Sequence, residues 1–351
     1  MIKDYSLIDI LRTAVKENAS DVHLTVGAPP VLRIDGKLYP LNAPVCKHQQ
    51  TLEMIYSILN DYQKQLFEEN WELDTSIEVK NVGRFRVNVH RQKGHVEAAF
   101  RVVKNKIPRP EELGIPEQVY GLVRKPSGLF LITGPTGSGK TTTLASLINL
   151  INEEKRCLII TIEDPIEYVH THKRSIIKQR EIGEDTKSFG EALVRALRQD
   201  PDVICIGEMR DLETISTALT AAETGHLVLA TIHTPDVLQT IDRIIDVFPP
   251  HQQNQVRVQL ANSLLAILSQ KLIPLVSGEG RILACELLIA TPAVRKVIRT
   301  EKTEQLYTII QTSNAEGMQT FDQHLKELYE NGLISFDEMI LHSKFPEKFA
   351  D

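Results

Sequence analysis

The chain has 351 residues, of which 42% are hydrophobic and 25% charged, a composition typical of globular protein and long enough for two or three domains. A formal net charge of -6 argues against a general nucleic-acid binder, which usually presents a basic surface. The four cysteines form no C-x-x-C pair, so zinc is not indicated. No stretch approaches the roughly twenty apolar residues needed to span a bilayer, and the N-terminus lacks a signal-peptide core, so we expect any membrane role to be peripheral.

The first hundred residues predict a small α/β unit with a mostly antiparallel sheet and helices on one side of it. Apolar residues at helical spacing predict two helices, over residues 4–18 and 47–69. Alternating or continuous apolar runs predict strands around residues 22–26, 31–34, 82–90 and 95–103. Asp35-Gly36, after the second of these strands, predicts a hairpin turn.

A segment dense in proline and glycine follows, over residues 104–116, and predicts a linker of limited flexibility. We therefore predict an N-terminal domain (1–104), a linker (105–116) and a second domain (117–351).

The second domain alternates strands and helices, which predicts a parallel sheet covered on both faces. The predicted strands are 129–133, 157–162, 203–207 and 227–232, and the predicted helices are 142–153, 188–199, 212–223 and 236–246. From about residue 251 the pattern predicts a mostly helical segment, interrupted by one strand at 282–287.

The first strand of the second domain ends at a motif that fits the phosphate-loop template G-x-x-x-x-G-K-[ST] at every fixed position: Gly134-Pro135-Thr136-Gly137-Ser138-Gly139-Lys140-Thr141. A strand, a glycine turn and a helix N-terminus direct backbone N–H groups and the helix dipole at an anion. Lys140 would reach the β- and γ-phosphates, and the Thr141 hydroxyl would hold Mg²⁺. We predict that this loop, with Thr142 after it, binds a nucleoside triphosphate; the alternative is a glycine-rich turn that binds nothing.

Acidic residues follow two further predicted strands. Glu163 and Asp164 end the strand at 157–162, and Glu208 follows the strand at 203–207. Because the carboxyl ends of parallel strands meet at one crevice, we expect these carboxylates near the γ-phosphate and its metal. The alternative is that they are solvated residues at strand ends.

Two histidines flank the strand at 227–232, and a histidine beyond a core strand can contact the γ-phosphate. His233 stands at the carboxyl end of this strand. His226 precedes the strand, at the end that points away from the crevice. We include it among the nucleotide contacts, although its position supports that role less than the position of His233 does.

Positive charge for a transition state is available in the N-terminal domain. Arg84 and Arg86 share one face of a strictly alternating strand, and Arg101 lies on a polar face of the next. We expect this face to meet the nucleotide of a neighbouring subunit, where an arginine is worth on the order of 10³–10⁵ in rate. The alternatives are a solvated sheet face and a nucleic-acid groove; the low aromatic content, 5%, argues against the groove.

Four boxes in this order resemble the secretion ATPase superfamily of type II secretion and type IV pili. They are the phosphate loop, the acidic box Thr161-Ile162-Glu163-Asp164-Pro165-Ile166-Glu167-Tyr168, the Walker-B-like Gly207-Glu208-Met209-Arg210-Asp211, and the histidine box Thr224-Gly225-His226-Leu227-Val228-Leu229-Ala230-Thr231-Ile232-His233-Thr234. The resemblance covers nearly the whole chain.

The resemblance implies a PAS-like N-terminal domain, a RecA-like ATPase domain with a helical C-terminal part, ATP and Mg²⁺ as cofactors, and a homohexamer. It implies Glu163 as general base, Glu208 as a water-mediated Mg²⁺ partner, and His233 as a contact of the γ-phosphate. One or more of the three arginines would reach a neighbour's ATP. The implied location is the cytoplasm, at the cytoplasmic face of the inner membrane, docked on a pilus platform protein.

Within this superfamily the chain is most similar to the pilus retraction branch. We expect it to lack the further N-terminal domain usual in assembly and secretion members, and its four cysteines do not form the tetracysteine insertion. Its segment Ala293-Val294-Arg295-Lys296-Val297-Ile298-Arg299 resembles a retraction signature, but Lys296 and Thr300 depart from that pattern. The departures leave open an accessory role beside a paralogous retraction ATPase, or an assembly or secretion role. A DNA-translocating motor and a nucleotide-dependent switch are the alternatives from other classes.

Overall fold

The computed structural model describes residues 6–103 and 106–349. These residues form two compact units. The first comprises the chain through Lys106 together with Glu167–Val169, and the second comprises Ile107–Ile166 and the chain from His170 onward.

The first unit is built on a six-stranded, entirely antiparallel sheet in the order β3-β2-β1-β6-β5-β4. Its elements are α1 (Leu7–Lys16), β1 (Asp21–Leu24), β2 (Val31–Ile34), β3 (Lys37–Pro40), α2 (His48–Tyr56), α3 (Asp61–Asn70), β4 (Glu72–Val79), β5 (Gly83–Gln92) and β6 (His95–Val102). The predicted antiparallel α/β unit is confirmed, although β3 and β4 were not predicted.

Two local sequence features decide how this unit is built. Asp35 and Gly36 both adopt positive φ, 48° and 78°, which is the backbone of a two-residue turn between β2 and β3. The prediction of one helix over 47–69 is wrong, because Asn60 begins a new helix there. Its side chain accepts a hydrogen bond from the N–H of Gln63 at 2.8 Å, and the Gln63 side chain accepts from the N–H of Asn60 at 3.0 Å.

Successive side chains of strand β5 lie on opposite faces of this sheet. Phe85, Val87 and Val89 are buried in the core of the first unit, which includes residues of α1, α2 and α3. Arg84 and Arg86 therefore lie on the other face, as the alternation predicts.

The second unit is built on a seven-stranded sheet in the order β13-β12-β7-β11-β10-β8-β9, parallel except for β13 at one edge. Its strands are β7 (Gly128–Thr133), β8 (Leu158–Glu163), β9 (Ile176–Glu181), β10 (Val203–Ile206), β11 (Leu227–Ile232), β12 (Leu264–Pro274) and β13 (Arg281–Ile289). Its helices are α4 (Glu117–Val123), α5 (Lys140–Glu154), α6 (Phe189–Ala196), α7 (Leu212–Glu223), α8 (Val237–Asp246), α9 (Pro250–Ser263), α10 (Pro292–Arg299), α11 (Leu306–Thr312), α12 (Phe321–Glu330) and α13 (Phe336–His342).

Helices cover this sheet on both faces. Along β7, Leu129 and Leu131 belong to one buried cluster, whereas Phe130 and Ile132 belong to a second. The prediction of a mixed α/β fold with a parallel sheet covered on both faces is confirmed. None of the helices within residues 6–103 and 106–349 is both long enough and apolar enough to cross a bilayer.

The prediction of a mostly helical segment from residue 251 is wrong for Leu264–Pro274, which form a strand. Helix α9 ends at Ser263, and β12 follows at once as an eleven-residue strand paired with β13. The run from Leu264 to Leu268 is apolar at every position and buried on both sides, so it has neither the helical nor the alternating period. Strand β9 was also not predicted.

The linker prediction needs a similar correction. Residues 107–116 group with the second unit, where the Ser146 hydroxyl of α5 donates to the carbonyl of Pro108 at 2.8 Å and Ile115 is buried. The proline-dense segment is therefore mostly packed chain; residues 104 and 105 lie outside the described residues.

Arg295, in the signature-like segment, donates hydrogen bonds to backbone carbonyls at the junction between α9 and β12. Its guanidinium donates to the carbonyls of Asn262 at 2.6 Å, Leu264 at 2.8 Å and Ala290 at 3.1 Å, and also to that of Ala261. The last carbonyls of a helix have no partner within the helix, so Arg295 satisfies groups that burial would otherwise leave unpaired.

We expect Arg295→Ala to lower the free energy of unfolding by about 2 kcal/mol, because it leaves several carbonyls without a charged donor. Arg299→Ala, on the exposed face of the same helix, is the matched control and should change it by less than about 0.5 kcal/mol. Chemical denaturation measures both; equal losses in the two variants would contradict this role.

Candidate nucleotide site

The phosphate loop lies between the last residue of β7 and the first turn of α5. Gly137 and Gly139 adopt left-handed backbone, with φ of 80° and 88°. Gly134, with φ of 142°, is required for a second reason: a Cβ there would lie 2.3 Å from the carbonyl oxygen of Gln270 on β12. The glycines thus allow the loop to turn tightly against a neighbouring strand.

The side chain of Lys140 is enclosed by this loop. Its ammonium donates to the carbonyl of Gly134 at 2.8 Å and to that of Pro135 at 3.0 Å, and the residue is only 7% exposed. Burial lowers the pKa of Lys140, and the nearby Glu208 carboxylate opposes that shift. The loop therefore holds a buried positive charge at the N-terminus of a helix, an arrangement that fits a polyphosphate.

Glu163 and Glu208 follow neighbouring strands. Strands β8 and β10 run parallel with Ile162 beside Ile206, and the N–H of Gly207 donates to the Ile162 carbonyl at 2.7 Å. A Cβ on Gly207 would lie 3.1 Å from that same oxygen, so the close approach of the two strand ends favours glycine.

Glu163 is held by two side chains of the same sheet. The Thr161 hydroxyl donates to its carboxylate at 2.6 Å, and the Gln179 amide of β9 donates to the same oxygen at 3.0 Å. These contacts orient the carboxylate at the end of β8.

Glu208 receives two cationic or potentially cationic partners. Its carboxylate lies 2.6 Å from Nε of Arg210 and 3.4 Å from Nε2 of His233. The Thr231 hydroxyl of β11 donates to the carbonyl of Gly207, which fixes the backbone just before the carboxylate. The Glu208 side chain, 17% exposed, is therefore oriented from both sides.

His233 bridges the acidic residue and the phosphate loop. Its Nδ1 lies 3.5 Å from the Thr136 hydroxyl, and its Nε2 faces Glu208. Burial, and then the charge of Lys140, lowers the pKa of His233 below 6.5, while Glu208 opposes this. The ring is therefore predominantly neutral at pH 7, and an added phosphate beside it would favour the protonated form.

The sheet order explains why these groups come together. In the order β7-β11-β10-β8, consecutive strands end at the phosphate loop, His233, Glu208 and Glu163. The hydroxyl of Thr141, which is exposed at the start of α5, and the two carboxylates are oxygen donors of the kind Mg²⁺ prefers. Thr142 follows in the same first turn and is half-buried.

His226 does not join this group. It precedes β11, where its Nδ1 lies 3.0 Å from the Ala221 carbonyl and 3.4 Å from the Thr224 hydroxyl. The six residues of β11 separate it from His233 by about 20 Å. The two histidines thus stand at opposite ends of one strand, with His226 at the end away from the phosphate loop of the same subunit. Its contact with nucleotide stays a prediction.

The three arginines belong to the first unit, where acidic or hydroxyl groups hold them. Arg101 lies opposite Arg86 across β5 and β6, and its Nε is 2.9 Å from the Asp21 carboxylate. Arg84 donates to the Ser76 hydroxyl at 2.7 Å. Arg86 lies 2.8 Å from the carboxylate of Glu167, a residue that groups with this unit. Their action on a nucleotide stays a prediction.

Sequence reasoning missed three contributors to the site. Arg210 stands in the Walker-B-like segment, but nothing in its spacing showed that it pairs with Glu208. Gln179 lies on the unpredicted strand β9, and Gln270 on the unpredicted strand β12. Only a correct strand assignment could have placed the two glutamines beside Glu163 and the phosphate loop.

Known proteins resemble this chain over nearly its full length. The Type IV pilus retractation ATPase PilT of Pseudomonas aeruginosa is 48% identical over 343 residues, covering 98% of this chain and 99% of that protein. The Type IV pilus ATPase PilU of the same organism is 40% identical over 334 residues, covering 95% and 87%. A crystal structure of the pilus retraction motor PilT with bound ADP superposes with a TM-score of 0.91 at 49% identity, covering 98% of this chain and 99% of that one.

A profile of the Type II/IV secretion system protein family matches residues 2–341. The matched range includes the phosphate loop, the acidic box, the Walker-B-like segment and His233. On the length of this match and the identities above, the chain belongs to the Type II/IV secretion system protein family.

Proposed function

We propose that this chain is an ATP-hydrolysing motor that powers type IV pilus retraction, in which pilin is removed from the fibre and twitching motility results. The observation that carries the proposal is the meeting of a phosphate loop, His233, Glu208 and Glu163 at one edge of a parallel sheet. A PilT matched over 99% of its length, and a PilT structure with bound ADP, support the choice of nucleotide and of motor.

Each residue has a role that its position supports. Lys140 and the backbone N–H groups that the phosphate loop offers bind the phosphates. Thr141, Glu208 and Glu163 are the oxygen donors for Mg²⁺, partly through water; the ion, when bound, neutralises phosphate charge. Glu163 accepts the proton of the attacking water as general base, and His233 contacts the γ-phosphate.

The assembly we propose is a homohexamer in which one or more of Arg84, Arg86 and Arg101 supply positive charge to the ATP of a neighbouring subunit. Its partners would be a pilus platform protein of the inner membrane and, in some cells, a paralogous retraction ATPase. The ring would work in the cytoplasm, docked at the cytoplasmic face of that membrane.

An accessory ATPase is the second candidate. The 40% identity to PilU and the departures Lys296 and Thr300 in the signature-like segment favour it. Such a subunit would turn over ATP slowly alone and faster beside a paralogue, whereas the leading proposal requires turnover by this chain alone.

We expect Glu208→Gln to bind ATP as the wild type does but to hydrolyse it at least about a hundredfold more slowly, because one catalytic group is lost. Lys140→Met should lose binding and turnover together. Glu223→Gln, at the far end of α7, is the matched control and should keep both. Nucleotide titration and phosphate release measure the set; near-normal turnover in Glu208→Gln would exclude the assigned role.

The arginines can be tested by mixing subunits. Subunits with Arg101→Ala keep an intact phosphate loop, and subunits with Glu208→Gln keep the arginines. If Arg101 acts on a neighbour's ATP, mixed rings regain turnover that neither pure ring has; an arginine acting within its own subunit gives no regain. Arg84→Ala and Arg86→Ala are tested in the same way, with Arg12→Ala on α1 as the exposed control.

A further inference from the structure

The hairpin of β12 and β13 carries three buried polar side chains beside the nucleotide site. Ser269 and Gln270 are consecutive on β12, and Glu286 lies directly opposite Ser269 on β13. All three are at most 1% exposed, and their neighbours Leu268 and Leu287 are fully buried apolar residues. Burying polar groups costs stability unless they are hydrogen-bonded, so their partners reveal what they do.

Gln270 contacts the phosphate loop. Its side-chain amide donates to the carbonyl of Ser138 at 2.7 Å, and that nitrogen is 3.3 Å from where a Cβ on Gly139 would lie. The backbone carbonyl oxygen of Gln270 lies too close to Gly134 for that residue to carry a side chain. Gln270 of β12 thus lies against the first residue of the loop, Gly134, and against Ser138 and Gly139 further along it.

Ser269 and Glu286 contact the segment that follows His233. The Ser269 hydroxyl donates to the carbonyl of Pro235 at 3.0 Å. The Glu286 carboxylate accepts from the N–H of Val237, the first residue of α8, at 3.1 Å. These two bonds hold the later part of the short connection from β11 to α8 and the start of α8, two and four residues after His233.

The register shows that the two sets of contacts belong to one rigid structure. Thr133, the residue before the phosphate loop, pairs with Ser269, and Ser269 pairs with Glu286 across the next strand. The side chains of Thr133, Ser269 and Glu286 therefore lie in a row on one face of the sheet, whereas the side chain of Gln270 lies on the other face. A shift of β12 would move the loop and the His233 segment together.

We propose that Ser269, Gln270 and Glu286 are positioning residues for the ATPase reaction: Gln270 sets the shape of the phosphate loop, and Ser269 with Glu286 sets the position of His233. The proposal rests on the roles given above to the phosphate loop and His233. None of the three touches the reacting atoms; each acts through the backbone it holds.

The environment of Glu286 agrees with such a role. Burial, with Asp236 and Asp322 nearby, raises the pKa of Glu286 to about 7, while the bond from Val237 and the charge of Lys344 oppose this. Lys271 and Tyr307 also face this carboxyl. Burying an acid in the interior of a strand costs stability, and an apolar residue would pack well there. The N–H of Val237, at the start of α8, gives the Glu286 carboxylate a defined partner.

The test separates nucleotide affinity from turnover. We expect Gln270→Met to weaken ADP binding about tenfold and to raise KM for ATP similarly, since the loop loses a hydrogen bond that shapes it. Ser269→Ala and Glu286→Met should lower kcat about tenfold while KM and ADP affinity stay within about twofold of wild type. Glu286→Gln keeps an acceptor for the Val237 N–H and should restore most of kcat.

Cys285→Ala is the matched control for the Ser269 and Glu286 variants, because Cys285 is fully buried beside Glu286 and its side chain lies on the opposite face of the sheet. It should lower thermal stability and leave both kinetic constants near wild type. Ser269→Ala and Glu286→Gln change few atoms, so the comparison holds even if Glu286→Met does not fold.

The proposal is overturned if the variants change KM and kcat in equal proportion, or if Glu286→Gln is as impaired as Glu286→Met. A wild type that binds ADP but has no ATPase activity would instead count against the proposed function, and ADP affinity in Gln270→Met would still decide the part of the inference that concerns the loop.

Discussion

The site depends on the register of four parallel strands. Ile132 pairs with Thr231, Ala230 with Ile206, and Ile206 with Ile162, so the ends of β7, β11, β10 and β8 differ by at most two residues in level. Parallel strands that end together bring their following residues to one crevice. The phosphate loop, His233, Glu208 and Glu163 therefore converge although they are spread over a hundred residues of sequence.

Charge balance gives this crevice its chemistry. Lys140 is buried and its ammonium donates to two loop carbonyls, and Glu208 offsets part of the cost of that buried charge. Glu208 is in turn oriented by Arg210 and His233. A polyphosphate arriving at Lys140 would give the ammonium a stronger partner, and it would favour protonation of His233. The groups that we propose to bind the nucleotide would therefore also respond to its charge.

Much of the site was predictable because it follows the ends of strongly apolar strands. The phosphate loop, Glu163, Glu208 and His233 were all placed by that rule, and the parallel sheet covered on both faces was confirmed. The same rule already made His226 doubtful, since it precedes its strand. The functional roles of these residues and of the three arginines stay predictions.

The rest could not be predicted for definite physical reasons. The run from Leu264 to Leu268 is buried on both faces, and such a run has no period that distinguishes strand from helix. Because β12 was not predicted, the sequence did not identify Gln270 and Ser269 as neighbours of the site. Their contacts with the phosphate loop and with the segment after His233 could therefore not be predicted either. The break before α3 depends on one capping residue, Asn60, in an otherwise helical pattern.

The most direct test of the motor assignment is a count of surface pili, with twitching motility, in the source organism after deletion of this gene. The account predicts more pili per cell and lost twitching, both reversed when the wild-type chain is restored. Cells without pili would mean that the motor drives assembly, and an unchanged pilus number with normal twitching would contradict a retraction motor altogether.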